Sequence, residues 1–477
     1  MKITINILII CFIYIIIHKN IEIVNILYYN NKKLSLYRKD EHMTGLESIL
    51  KQSIIDNHIP SNQYAIHNVK KGLRNEDHTG VLIGLTKIAD VVGYERVDGK
   101  KIDCEGRLYY RGYEISDLIE QLDFNNHRGF EQCTFLLLFG HLPSEIEYQL
   151  FKSELEKYNS LPKDFLELNI LRTPGKNIMN KIQQCILMLY AYDQDPDNTT
   201  PYNTLMQGLS LISKMPSIVT YSYQSKKYNY DDESLVIHKV KKEETMAQSI
   251  LRLSRKDGKY TNVEAETLDC MLVLHADHGG GNNSTFTNVV ISSTGTDLYS
   301  SMAGSVGALK GPRHGGANLS VVEMMQAVIA QIGYSDDEEI IKNIIRKILN
   351  KQFYDYKGLV YGMGHAVYTL SDPRSILLQK KAKELAQEKG MVKEFEFYQR
   401  FEKCAKEVIF ETKGKRVSSN IDFYSGFVYE MLNIPQELVS PLFVCARMVG
   451  WLAHNIEDKC YCDKIIRPAT KYVGGIK

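Results

Sequence analysis

The sequence has no excess charge of either sign. Its 477 residues carry 58 Lys and Arg against 57 Asp and Glu, a formal net charge of +1. Binding nucleic acid or an acidic surface as the main activity needs a concentrated basic face, so this balance argues against both and leaves a small substrate as the expectation. Nor does the chain have the composition of a disordered protein: 44% of it is hydrophobic and 24% charged, an ordinary globular mixture. Paired cysteines are missing too. The nine cysteines are odd in number and mostly far apart, which predicts reduced thiols and a cytoplasmic, reducing location. The single C-x-C, Cys460 and Cys462, has no second Cys or His pair at ligand spacing beside it, so no metal is expected.

Long hydrophobic runs are absent with one exception. Ile3 to Ile17 is almost wholly apolar but shorter than the about 20 residues that span a bilayer, and no small-residue cleavage site follows it. Residues 1–42 are therefore read as an extension upstream of a true start at Met43, and no membrane role is expected; a membrane-anchored form depends only on whether that stretch is translated. No internal repeat, P-loop or nucleophilic Ser or Cys elbow is found.

From Met43 onward apolar residues recur at helical spacing, as in Phe130 to Leu138, Ile182 to Tyr192, Val321 to Ile332 and Ile376 to Met391. The exception is 86–112, rich in β-branched and aromatic residues and broken by Asp98-Gly99, which predicts a small hairpin or meander. The fold class is thus mainly α. The polar stretch 223–245 reads as a loop or short helices.

Chemistry-bearing residues concentrate in 270–430. His275 and His278 precede a glycine loop; they read as metal ligands at i, i+3 lacking a third partner, as hydrogen-bonded closers of a helix end, or as substrate contacts. His314 lies in Gly311-Pro312-Arg313-His314-Gly315-Gly316, and Ser320-x-x-Glu323 reads as a capping box opening the next helix. A histidine at a helix N-terminus tends to be neutral and able to donate to a developing oxyanion, although a packing role in a Gly-rich turn fits the residues as well. Gly362-Met363-Gly364 resembles a dinucleotide loop, but Val367 stands where the third glycine belongs and the fingerprint fails. His365 remains, with Arg374 nine residues on and suited to a carboxylate. Asp422, between Ile421 and Phe423, reads either as a general base raised by desolvation or as a helix cap. Arg447 stands on an otherwise apolar helix, costly unless an anion meets it, and Arg467 follows. Histidines, an aspartate and arginines in this number suit chemistry on a small polycarboxylate, with negative charge developing on a carbonyl oxygen.

These segments, namely His-Ala-Asp-His at 275–278, Gly-Pro-Arg-His-Gly-Gly-Ala-Asn at 311–318, Gly-Met-Gly-His-Ala-Val at 362–367, Asp-Pro-Arg at 372–374, Asn-Ile-Asp-Phe-Tyr-Ser-Gly at 420–426 and Ala-Arg-Met-Val-Gly-Trp at 446–451, resemble in order and spacing those of the citrate synthase family. The likeness runs from about Gly84 to the C-terminus. It implies a helical homodimer with a large domain, 43–314 plus 428–477, and a small one, 315–427. It further implies His314, His365 and Asp422 as catalytic residues, with His278, Arg374 and Arg447 binding oxaloacetate and Arg467 completing the partner's site. Acetyl-CoA enters as co-substrate, with no cofactor bound permanently. Thr369 stands where some relatives carry a basic residue that contacts the coenzyme phosphates; Lys413, Lys415 and Arg416 are the candidates for that contact here. The alternatives are a 2-methylcitrate synthase acting on propionyl-CoA and a catalytically silent structural or CoA-binding relative.

Overall fold

The computed structural model describes residues 45–462 and 464–474, so the 1–42 extension lies outside the described residues. Residues 75–467 form one unit; 45–74 and 468–474 belong to another, with two helices, α1 (Gly45–Asp56) and α2 (Asn62–Ile66). Among the described residues no helix is long and apolar enough to cross a membrane.

The larger unit opens with an antiparallel sheet of β1 (Ala89–Val97), β2 (Lys100–Tyr110) and β3 (Tyr113–Glu114), in that order. Asp98 and Gly99 both have positive φ, 50° and 77°, which gives the tight turn that matches the strand twist. The register of β1 on β2 shifts between Val92 and Tyr94.

Helices follow: α3 (Ile115–Gln121), α4 (Gly129–Phe139), α5 (Glu145–Tyr158), α6 (Ile178–Leu189), α7 (Pro201–Tyr230), α8 (Met246–Ser254), α9 (Asn262–His275), α10 (Asn283–Ser292) and α11 (Leu298–Lys310). Then come α12 (Ala317–Ile332), α13 (Glu338–Leu349), α14 (Pro373–Lys389), α15 (Val392–Lys413), α16 (Ile421–Met431) and α17 (Gln436–Tyr461). Their sequences explain them. In α13, Ile341, Ile344, Ile345 and Ile348 repeat at i, i+3, i+4 and i+7 and all four are buried, while the Asp337 side chain caps the first turn. In α7 a Thr200 cap and Pro201 in the first turn start thirty helical residues whose middle is almost wholly buried.

Two expectations change. Residues 223–230 are the end of α7, and only 231–245 is irregular. Ser320-x-x-Glu323 is not a capping box, because α12 already starts at Ala317. Side chains at 315 and 316 would collide with the carbonyls of Leu309 and Pro312, so two glycines there let the chain turn early. Ser320 sits inside the helix with its hydroxyl on the Gly316 carbonyl, and Glu323 accepts from Tyr354 Oη at 3.1 Å.

Candidate active site

The turn 365–371 rests on the sheet. Side chains at Gly93 and Gly106 would put Cβ 2.4 Å from the Val367 carbonyl oxygen and 2.1 Å from that of Ser371. The Gly106 N–H donates to Ser371 Oγ at 3.0 Å. Glycine here allows close approach of two backbones, which fixes the turn bearing His365.

His365 Nδ1 accepts from the N–H groups of Val367 and Tyr368 at 3.0 and 3.1 Å. An Nδ1 that accepts carries no proton, so the imidazole proton is on Nε2. The ring stacks on Tyr368, 4.7 Å between centroids, and meets His278 edge-on at 5.1 Å. His278 Nε2 is buried and has no hydrogen-bond partner among the described residues. Burial and the nearby Arg374, His365 and Arg447 hold its pKa well below the usual histidine range, so it is neutral. The two histidines of the 275–278 segment therefore part company. His275 closes α9, its Nδ1 2.8 Å from the Met271 carbonyl, and only His278 enters the cluster. Among the described residues no group of three or more potential ligands is placed to hold a metal ion.

His314 lies in the turn between α11 and α12. Its Nε2 is 3.1 Å from Ser284 Oγ, which also accepts from the indole N–H of Trp451 at 3.2 Å. Burial, with Arg447 adding to it, pushes its pKa down to about 4. The ring is neutral near pH 7, the state in which imidazole acts as a hydrogen-bond donor to a weakly basic oxygen rather than as a proton source.

Asp422 stands in the first turn of α16, where the Asn420 side chain caps its N–H at 3.0 Å. It is thus not the cap itself. Burial pushes its pKa up to about 6, against the pull of Arg374, while Asp372 raises it further. Two arginines share this environment. Arg374 is buried and forked onto Asp372, Nε to Oδ1 at 3.0 Å and Nη2 to Oδ2 at 2.8 Å, so one edge of the guanidinium is already occupied. Arg447 is equally buried, donates from Nε to the His275 carbonyl at 2.7 Å, and leaves Nη1 buried without a partner among the described residues. Burial pulls its pKa down to about 10, which still leaves it cationic. An unpaired buried guanidinium edge is a built demand for an anion.

Six of the residues singled out in the sequence therefore share one environment: His278, His314, His365, Arg374, Asp422 and Arg447. Arg467 does not join them within its own chain but lies exposed after α17. Lys413, Lys415 and Arg416 are exposed at the end of α15 and just beyond it. Sequence reasoning passed over Ser284, which bears no recognisable spacing to His314, and Tyr368, whose ring packs on both His365 and His278. It also passed over Asp372 as the partner of Arg374, although the Asp-Pro-Arg order was the available signal for the pairing.

The chain is similar to known proteins over most of its length. The family described as "Citrate synthase, C-terminal domain" matches residues 77–469. The citrate synthase of Haloferax volcanii is 32% identical over 412 residues, 85% of this chain and 96% of that protein. The 2-methylcitrate synthase of Shewanella oneidensis is 29% identical over 77% of this chain and 88% of its own. The solved ternary complex of Thermoplasma acidophilum citrate synthase with carboxymethyl coenzyme A and oxaloacetate superposes with a TM-score of 0.68 at 25% identity, covering 86% of this chain and 97% of that one.

Proposed function

The chain belongs to the citrate synthase family, and from that premise we propose that it condenses acetyl-CoA with oxaloacetate and hydrolyses the resulting citryl-CoA to citrate and CoA. The observation that carries the reading is the meeting of a raised carboxylate, Asp422, with two neutral histidine donors and an arginine whose Nη1 lacks an anion.

In this reading the Asp422 carboxylate takes a proton from the acetyl methyl group while an N–H of His314 holds the thioester oxygen on which charge appears. His314 donates from Nδ1 when the Ser284 hydroxyl turns from Asn282 Oδ1, its acceptor at 2.9 Å, to His314 Nε2 at 3.1 Å. The new enol carbon attacks the oxaloacetate ketone, polarised by His365 Nε2–H. Arg447 through Nη1, Arg374 through the edge that Asp372 leaves open, and His278 through Nε2 receive the two carboxylates. Water then cleaves the thioester, releasing CoA. Acetyl-CoA is a co-substrate, with Lys413, Lys415 and Arg416 offered to its phosphates. We further read the protein as a homodimer in which Arg467 enters the partner's site, as a reduced cytoplasmic enzyme, and as a two-domain body in which 315–427 closes on 43–314 plus 428–477 and excludes water.

The test is oxaloacetate-dependent thiol release with acetyl-CoA or propionyl-CoA supplied in turn. Faster release with acetyl-CoA is expected. The Shewanella relative favours one second reading, 2-methylcitrate synthesis, because an added methylene changes binding by only about 1–3 kcal/mol. The reverse preference would establish it, and no release by folded protein would sink both.

A further inference from the structure

Beside the catalytic residues, and hydrogen-bonded to none of them among the described residues, lies a buried carboxylate that the mechanism does not use. Glu402, on α15, accepts from Ser419 Oγ through Oε1 at 2.8 Å and from Tyr424 Oη through Oε2 at 2.5 Å. Gln379 of α14 donates to Tyr424 Oη at 2.5 Å and reaches Glu402 Oε2 at 3.4 Å, and Lys406, one turn along α15, pairs with Oε1 at 2.5 Å. Each partner leads to a different catalytic group. Ser419 shares a hydrogen bond with Ser375, the neighbour of Arg374, at 3.0 Å. Tyr424 lies two residues after Asp422 in the same helix. Ser419 also bridges to Met363 within a short ladder in which Gly364 N–H donates to the Ser418 carbonyl at 2.7 Å, Asn420 N–H to that of Gly362 at 2.9 Å, and Asn420 Nδ2 to that of Gly364 at 2.9 Å. His365 is the next residue in that strand of the ladder.

We infer that Glu402 is a positioning residue whose single carboxylate fixes Arg374, His365 and Asp422 relative to one another. Each of these three sits on its own segment, and among the described residues the only side chain that receives hydrogen bonds from both the 418–420 ladder and α16, while also engaging α14, is Glu402. A carboxylate suits the place because every group facing it is a donor, Ser419, Tyr424, Gln379 and Lys406. Both hydroxyls are buried, so an acceptor lost here is not replaced by water. The inference rests on the catalytic reading above, since it concerns the residues assigned there.

The test uses the full-length protein and two isosteric or near-isosteric changes. Glu402→Gln keeps the volume but turns one acceptor into a donor facing Tyr424 and Gln379; Ser419→Ala removes one arm of the hub and leaves the rest. Because misplacing reacting groups by about 1 Å costs up to about 100-fold, each variant is expected to lower kcat roughly 10- to 100-fold and to raise KM for oxaloacetate. In the double variant the losses should fall well short of the product of the single ones. A merely structural role would lower Tm and the amount of active enzyme while leaving KM unchanged, and that result overturns the inference, as do independent, multiplicative losses. Amide exchange in 362–368 and 418–424, expected to speed at least about tenfold in Glu402→Gln with the rest of the unit unchanged, reads the hub without turnover. Should wild-type protein release no thiol, the functional reading fails, and unaltered exchange in these segments would separately sink the hub.

Discussion

Arg374 and Arg447 are held in opposite ways, and removing them should have opposite costs. Arg374 is paired with buried Asp372, so Arg374→Leu strands a carboxylate and should cost about 3–5 kcal/mol of stability as well as weaken oxaloacetate binding. Arg447 has no ion pair among the described residues, so Arg447→Leu should raise KM for oxaloacetate to a similar degree with Tm of the substrate-free protein unchanged or higher. Steady-state kinetics beside thermal melts separates the two. Asp422 makes a second prediction. Its folded pKa, raised to about 6, lies above that of an unfolded aspartate, so the folded state is penalised for ionising it. That penalty is absent below the unfolded pKa, grows as pH rises to about 6 and is constant above. Asp422→Asn should therefore nearly abolish turnover and yet raise stability near pH 8, by up to about 3 kcal/mol, with the gain vanishing near pH 4. In the wild-type protein kcat/KM for acetyl-CoA should fall about tenfold per pH unit below about 6, since the base must be ionised, while His314, titrating at about 4, stays neutral through that limb.

At the scale of elements, the sheet works as a seat for the 365–371 turn. Gly106→Ala would drive a methyl into the Ser371 carbonyl, so the turn must move, carrying His365 and the start of α14 with it. Kinetics and melting together should show kcat/KM falling by about 10-fold or more with only a modest drop in Tm. The elements themselves were legible where one chemistry dominates: the apolar run Phe130 to Leu138 of α4, the Asp-Gly turn of the hairpin and the helix bearing Arg447 all follow from periodicity or turn preference. The start of α12 was not, because Ser320-x-x-Glu323 satisfies a local rule that the glycine pair at 315–316 overrides four residues earlier. Within the site, histidines, arginines and the aspartate announce themselves by type. Ser284, Tyr368 and Glu402 do not, since a serine 30 residues from His314 or a glutamate on a charged helix acquires its role only through tertiary contacts.

At the scale of the whole molecule, the exposed position of Arg467 is what a residue shared between two copies requires, and the dimer reading can be tested by mixing. Arg467→Ala and Asp422→Asn proteins should each be nearly inactive; dissociated and reassembled in equal amounts, they should recover up to about a quarter of wild-type activity, because half the dimers then hold one complete site of two. No recovery despite demonstrated exchange would place Arg467 outside the partner's site. Trp451 is the only tryptophan in the 477 residues, it is fully buried, and its indole N–H ends on the hydroxyl that holds His314. Nature has thus installed a single fluorophore one hydroxyl away from the histidine assigned to the thioester oxygen. Every photon this chain emits under selective indole excitation comes from that spot, so the unlabelled protein carries its own optical gauge of events at the reacting centre, readable in a cuvette before any product forms.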